Sequence, residues 1–201
     1  MRETIIFLFF SSLFLMGAIP LSAHERDAHI GTNTFFEFHE NKGQFDQRVL
    51  FKSQIPGGAL FLENNRWTFH LYDAGLLADL HMGNFSGDLE TLQMQHHAYQ
   101  VTFLNSNANP IVEGTEDQPH FYNYFKGKDR SKWASKVSAF TKVRYNNLYP
   151  QIDAELYTHQ HNLKYDWIVK PGGDPAQIRW EIDGADEVYE KRGRLYITTS
   201  L

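Results

Sequence analysis

The stretch Leu163-Lys164-Tyr165-Asp166-Trp167-Ile168-Val169-Lys170 decides the fold class. Leu163, Tyr165, Trp167 and Val169 alternate with Lys164, Asp166, Ile168 and Lys170. A strand turns successive side chains to opposite faces, whereas a helix needs apolar residues three and four apart. The run therefore predicts a half-buried strand. Working outward, the same period of two recurs. Trp67, Phe69 and Leu71 alternate with Arg66, Thr68 and His70. Tyr99, Val101 and Phe103 alternate with Gln100, Thr102 and Leu104. Ile152, Ala154 and Leu156, and then Ile178, Trp180 and Ile182, repeat the pattern. Trp67, Trp167 and Trp180 all fall on the apolar phase, which assigns them to a core.

Turn signals separate these runs. Pro56-Gly57-Gly58 precedes a strand at 59–63, and Asn64-Asn65 links that strand to 66–72. Two Asn suit the positive φ of a tight hairpin. Residues 159–162 and Arg192-Gly193 mark two further hairpins, and Pro171-Gly172-Gly173-Asp174-Pro175 is a hard stop. Strands at this spacing predict an all-β fold, an antiparallel β-sandwich-like domain with one short helix. That helix is expected over residues 129–135, capped by Asp129, close to Trp133. Residues 76–82 and 88–94 are lesser helix candidates inside 73–95, which reads as a long inserted loop.

Residues 1–23 stand apart. Arg2, the apolar run from Ile5 to Met16, Pro20 and the small residue Ala23 have the three-part layout of a signal peptide. The apolar run is shorter than the about 20 residues a membrane-spanning helix requires. The expected organisation is a signal peptide at 1–23, an N-terminal linker at 24–34 and a β domain at 35–201. The expected location is secreted or at the cell surface, with no membrane span after signal cleavage. Residues 195–201 read as a strand with no turn after it, so the β domain is expected to be truncated at its C-terminal end. The formal charge of -5 argues against a nucleic-acid partner, and the absence of Cys removes disulfides and thiolate sites.

Residue types that could carry chemistry are present without the spacing that chemistry needs. His96 and His97 are adjacent, so a strand sends them to opposite faces. His159 and His161 fall in a turn, and no third ligand is placed by spacing; no metal and no cofactor is expected. The carboxylate pairs Glu37 and Glu40, Asp153 and Glu155, and Glu181 and Asp183 are the acid–base candidates. The last two pairs are read as solvated or ion-paired groups on the outer faces of strands. No G-x-S-x-G elbow and no phosphate loop occurs, so no catalytic residue is assigned. Glu40-Asn41-Lys42-Gly43-Gln44 reads as a turn in which Asn41 or Gly43 takes positive φ and Gln44 bonds backbone. Tyr122, Tyr124 and Trp133 lie outside the clearest alternating runs and are the ligand-binding candidates, since aromatic rings on a β module can stack on sugars. For Trp133 alone, anchoring its short helix to the sheet is the stronger reading.

The segment Phe38-His39-Glu40-Asn41-Lys42-Gly43-Gln44 is similar to the F-x-E-N-x-G-Q opening of a family of large exported Bacteroidota proteins. Further matches follow in the same order. They are Gly57-Gly58-Ala59-Leu60-Phe61-Leu62-Glu63-Asn64-Asn65, Tyr122-Asn123-Tyr124-Phe125-Lys126-Gly127 and Val143-Arg144-Tyr145-Asn146-Asn147-Leu148-Tyr149-Pro150-Gln151-Ile152-Asp153. Leu163-Lys164-Tyr165-Asp166-Trp167-Ile168-Val169-Lys170-Pro171-Gly172 and Asp174-Pro175-Ala176-Gln177-Ile178 complete the set, which covers about residues 35–184. The resemblance implies an amino-terminal domain of unknown function. In such proteins it is often followed by SBBP or PKD repeats and a gliding-motility-associated or type nine secretion sorting domain. The function expected is a non-catalytic structural or adhesive module. Its partners would be the downstream modules of its own polypeptide and a surface glycan or protein. The alternatives are a carbohydrate-binding module, marked by a row of exposed aromatics, and a glycan-active hydrolase, marked by two facing carboxyls.

Overall fold

A computed structural model describes residues 3–6, 36–88, 91–159 and 162–201. In chain order the strands are β1 (Glu3–Ile6), β2 (Phe38–Glu40), β3 (Phe51–Ile55), β4 (Gly58–Leu62), β5 (Arg66–Tyr72), β6 (His96–Phe103) and β7 (Ile111–Tyr124). After these come β8 (Ala134–Tyr149), β9 (Ile152–His159), β10 (Asn162–Val169), β11 (Arg179–Asp183), β12 (Glu187–Lys191) and β13 (Arg194–Thr198). The fold is all-β. Among the described residues, β1 to β11 form one antiparallel sheet in the order β1-β11-β6-β5-β4-β3-β2-β8-β9-β10, and β7 pairs with β8 off this path. β12 and β13 form a separate hairpin.

The sheet curls because β8 exchanges neighbours part-way along one edge. Ala139 and Phe140 pair with β2, and from Lys142 onward that edge pairs with β9. The other edge of β8 is held by β7 throughout. The half built on β2 to β6 and β11 thereby folds over the half built on β8 to β10. The two inner faces meet in an aromatic core. Trp67 on β5, 2% exposed, packs against Phe103 at 4.8 Å between ring centroids, Tyr165 at 5.6 Å and both Trp180 and Tyr145 at 6.4 Å. Trp167 lies 5.9 Å from Phe103 and 6.0 Å from Trp180. Two buried phenols tie the halves together, each with its hydroxyl paired. Tyr145 donates to the Glu63 carbonyl at 2.9 Å, and Tyr149 to the Arg179 carbonyl at 3.0 Å.

Most turns form where the sequence places them. Arg192 and Gly193 both take positive φ, 54° and 72°, the conformation of a two-residue hairpin turn. The hairpin positions Val188, Leu195 and Ile197 against the core. Asn64 and Asn65 do connect β4 to β5, but neither adopts positive φ. Their turn closes instead through the Glu63 N–H on the Arg66 carbonyl at 2.9 Å.

The helix lies elsewhere than expected. Residues 129–135 contribute only a 3-10 turn, Arg130–Lys132, capped by Asp129. Trp133 directly follows it, and β8 begins at once and draws the backbone into an extended path. The α-helix is α1 (Ala74–Met82), inside the segment read as a loop. Asp73 caps it by accepting from the Leu76 N–H at 3.0 Å, and Gly83 ends it at φ 71°. Among the described residues, no helix is long and apolar enough to cross a membrane.

Of the residues assigned to a signal peptide, Glu3–Ile6 forms β1 on the outer side of β11, with Ile5 opposite Trp180. An unpaired sheet edge accepts any extended apolar segment, which accounts for this pairing. The remainder of that assignment, residues 1–2 and 7–23, and the linker at 24–34 lie outside the described residues.

Candidate functional site

Where β2 meets the far end of β7, polar and aromatic side chains converge on one carboxylate. Glu37 and His39 are two apart on an extended backbone, so they share a face. His120, Tyr122 and Tyr124 stand at the same spacing on β7. Ala139 is opposite His39 in the ladder, and its short side chain leaves room for β7 side chains to reach across β8. Tyr122 stacks on His39 with ring centroids 4.0 Å apart.

Glu37 has a side chain only 10% exposed. Its Oε2 accepts from the Tyr122 hydroxyl at 2.7 Å and from His120 Nε2 at 3.0 Å, and His39 Nε2 stands 3.9 Å away. The Tyr124 hydroxyl bonds His39 Nδ1. With Tyr124 donating, the His39 proton resides on Nε2, turned toward Glu37. The hydrogen bond to Glu37, with burial behind it, pushes the Tyr122 phenol up to about 12. Burial lowers the His39 pKa. Glu37 opposes this shift, whereas Lys52 and His120 add to it. Burial also raises the Tyr124 phenol. At neutral pH the group therefore presents a neutral imidazole and two intact phenols around Glu37.

A groove of about 500 Å³ opens beside this network, lined by Phe36, Glu37, His39, Gln54, Ile55, Pro56 and Tyr122. Gln54 donates its amide to the Gly58 carbonyl at 2.6 Å and to the Tyr72 hydroxyl. Further along the outer face, His70 and His96 stack at 5.0 Å. The groove thus offers an aromatic ring, an imidazole, a carboxylate and an amide in one place.

Tyr122 and Tyr124 come together on His39. Trp133 does not join them. Its ring, 37% exposed, packs on Phe125 at 5.7 Å and under Arg130, and its Nε1 donates to the Gly127 carbonyl at 3.3 Å. Trp133 therefore closes its own loop. The site residues that sequence reasoning missed are His39 and His120, while Glu37 was singled out only as a partner of Glu40, which lies elsewhere. Their signal was the shared face of Glu37 with His39 and of His120 with both Tyr residues.

The other candidates resolve into structure. Glu40 faces away from Glu37 and bonds Lys42 at 2.8 Å and the Ser138 N–H at 2.9 Å. The Asn41-to-Gln44 turn satisfies its own backbone. Asn41 accepts from the Gly43 and Phe45 N–H groups, Gln44 donates to the Glu40 carbonyl, and Gly43 takes φ 104°. Asp153 is ion-paired, one of the two outcomes read for it, but it is fully buried rather than on an exposed outer face. Arg144 and Lys170 close over it, each at 2.7 Å, and the Asn147 N–H donates at 2.8 Å. His96 and His97 do diverge, His96 to His70 and His97 to Ser200 and the Gly184 carbonyl. His161 lies outside the described residues. Among the described residues, no three His, Asp or Glu side chains are grouped to hold a metal ion.

A family model described as Domain of unknown function (DUF7948) matches residues 38–201. The chain belongs to this family. The match begins at Phe38 on β2, the strand that carries His39, and includes all of β7. No curated protein and no solved structure matches the chain significantly.

Proposed function

We propose that this member of the DUF7948 family is a non-catalytic adhesive module of an exported protein, and that it holds a carbohydrate in the groove beside Glu37. The observation that carries this reading is the convergence of Tyr122, His39, Glu37 and Gln54 on one open groove. Sugars are bound by a planar ring under their C–H face together with carboxylates and amides that bond their hydroxyls. Tyr122 supplies an accessible ring, 37% exposed, already braced by His39 and Glu37. A braced ring loses little freedom on binding, which favours affinity.

Glycoside hydrolysis is the weaker reading. It requires two carboxyl groups flanking the scissile bond, and Glu37 is the carboxylate among the lining residues of this groove. The export route, the surface location and the downstream modules of the same polypeptide belong to this proposal through the signal-peptide layout and the colinear motifs.

A glycan array followed by titration calorimetry on the best sugar tests the proposal. The expected result is saturable binding that Tyr122→Ala and Glu37→Gln each weaken by about tenfold or more, while Trp133→Ala leaves it unchanged. No glycan bound, or binding indifferent to Tyr122 and Glu37, would overturn it.

A further inference from the structure

The two free margins of the β7-to-β10 half are built differently. β7 carries Pro119, a left-handed Glu116 at φ 61° and two breaks in its register with β8. Such irregularities blunt an edge. β10 has none of them. It pairs with β9 without a break from Asn162 to Val169, it contains no Pro, and no strand pairs with its other edge among the described residues. Alternate residues of an edge strand turn their N–H and C=O groups outward, so the strand is a template for another. A groove of about 930 Å³ follows this edge, with Pro175 and Ile178 forming its far wall. Tyr165, on the core phase of β10, remains 43% exposed there.

The charges on the outer face of β10 select the occupant. In the ladder Asp166 stands opposite Glu155, and Lys164 stands opposite Tyr157. Two carboxylates are therefore adjacent, and Lys142 bonds Glu155 at 3.2 Å but leaves Asp166 to the Tyr157 hydroxyl at 3.0 Å. Lys164 has no carboxylate within ion-pair distance among the described residues. One cation and one anion thus lack charged partners, placed symmetrically on either side of Tyr165.

We infer that β10 is a homodimer edge, where two copies of the chain pair antiparallel about a two-fold axis through Tyr165. In that register Lys164 of each copy faces Asp166 of the other, twice. Each Asp166 gains the cation that its own sheet does not supply. On the inner face Tyr165 meets its own counterpart and Leu163 meets Trp167, so apolar residues cover apolar residues. A parallel pairing in register would set like charges beside each other. An antiparallel pairing shifted by two residues would lose at least one of the two ion pairs. The arrangement is isologous, as a two-fold interface demands, and it is a form of strand addition.

Sedimentation velocity on the full chain across a concentration series tests this inference, with thermal melts to verify folding of each variant. The wild-type chain is expected to dimerise, more weakly at high salt. Lys164→Asp and Asp166→Lys each set like charges opposite one another at both symmetric positions. Each is expected to weaken dimerisation by about tenfold or more. Mixing the two single variants restores both pairs and is expected to recover a heterodimer, and the double variant K164D/D166K is expected to dimerise like the wild type. A chain that stays monomeric throughout, or a dimer indifferent to both single variants, would overturn it.

Discussion

Asp153 and Glu37 are both carboxylates withdrawn from solvent, yet their surroundings assign them opposite roles. Asp153 is held by two cations and a backbone N–H, with side-chain exposure of 0%. Its neighbours Arg144 and Lys170 come from β8 and the end of β10, so the cluster pins the half of the sheet beyond the bend in β8. Glu37 is held by a phenol and an imidazole from β7 and borders an open groove. Two full charges neutralise Asp153, which leaves it with nothing to offer a ligand. Among the described residues no Lys or Arg bonds Glu37, and its Oε1 keeps acceptor capacity beside the groove. Burial alone does not mark a functional carboxylate; the charge of its partners does.

The largest expected effect separates the two sites by stability. Asp153→Ala leaves Arg144 and Lys170 without their anion and should cost about 2–4 kcal/mol in urea unfolding. That is shifted downward from the range for a fully buried pair, because both cations are about a third exposed. Glu37→Gln should cost about 1 kcal/mol or less by the same measurement, since Gln retains an acceptor for Tyr122. Equal losses would erase the distinction.

Acid should act on the Asp153 site next. Burial by itself would raise this carboxyl, but the Asn147 N–H, Lys170 and Arg144 outweigh it and hold the pKa below the usual range. The unfolded chain therefore takes up a proton before the folded one does. The resulting stability is fully present above the ordinary aspartate pKa and is lost as pH falls through the lower, folded value. Urea midpoints measured from neutral pH into that acid range should fall for the wild type more steeply than for Asp153→Asn.

A spectroscopic shift sharpens the picture at Glu37. The Tyr122 phenol stands at about 12 chiefly because it donates to Glu37. In Glu37→Gln its ultraviolet titration should move back toward the ordinary value near 10. An unmoved titration would show that burial alone sets it.

The smallest effect concerns His39. Its NMR titration should have a midpoint below the ordinary 6.5, the result of burial. Because its folded pKa is depressed, its contribution to stability is present above the unfolded value and is lost as pH falls through the folded one. Glu37→Gln removes the charge that raises this group and should lower the midpoint further. An upward movement would place His39 outside the influence of Glu37.

Local sequence was sufficient for much of this architecture and insufficient for the site. The alternation in 163–170, 66–72, 99–104 and 178–182 correctly located β10, β5, β6 and β11, and put Trp67, Trp167 and Trp180 on the inner face. Period two is written residue by residue, and every neighbour in the ladder reinforces it. The α-helix at Ala74–Met82 was harder to read, because its segment lacks a wide apolar face and only the Asp73 and Gly83 caps announce it. The turn before Trp133 looked longer in sequence than it is, because nothing local shows that β8 takes over at Ala134.

What the sequence by itself determined is therefore the alternating strands β5, β6, β9, β10 and β11 with their phase, and most of the turns, whereas β2, β3, β7 and β8 were not read from it. What only the tertiary structure decided is which polar residues meet. Glu37 reaches Tyr122 and His120 across separations of 85 and 83 residues. Asp153 is buried because Arg144 and Lys170 arrive from either side of it in the sheet. Both meetings depend on where β8 leaves β2 for β9, a change of neighbours set by the packing of the whole sheet. Side-chain phase is a local property of the backbone, whereas a site joins residues from strands brought together by that packing, which no single segment encodes.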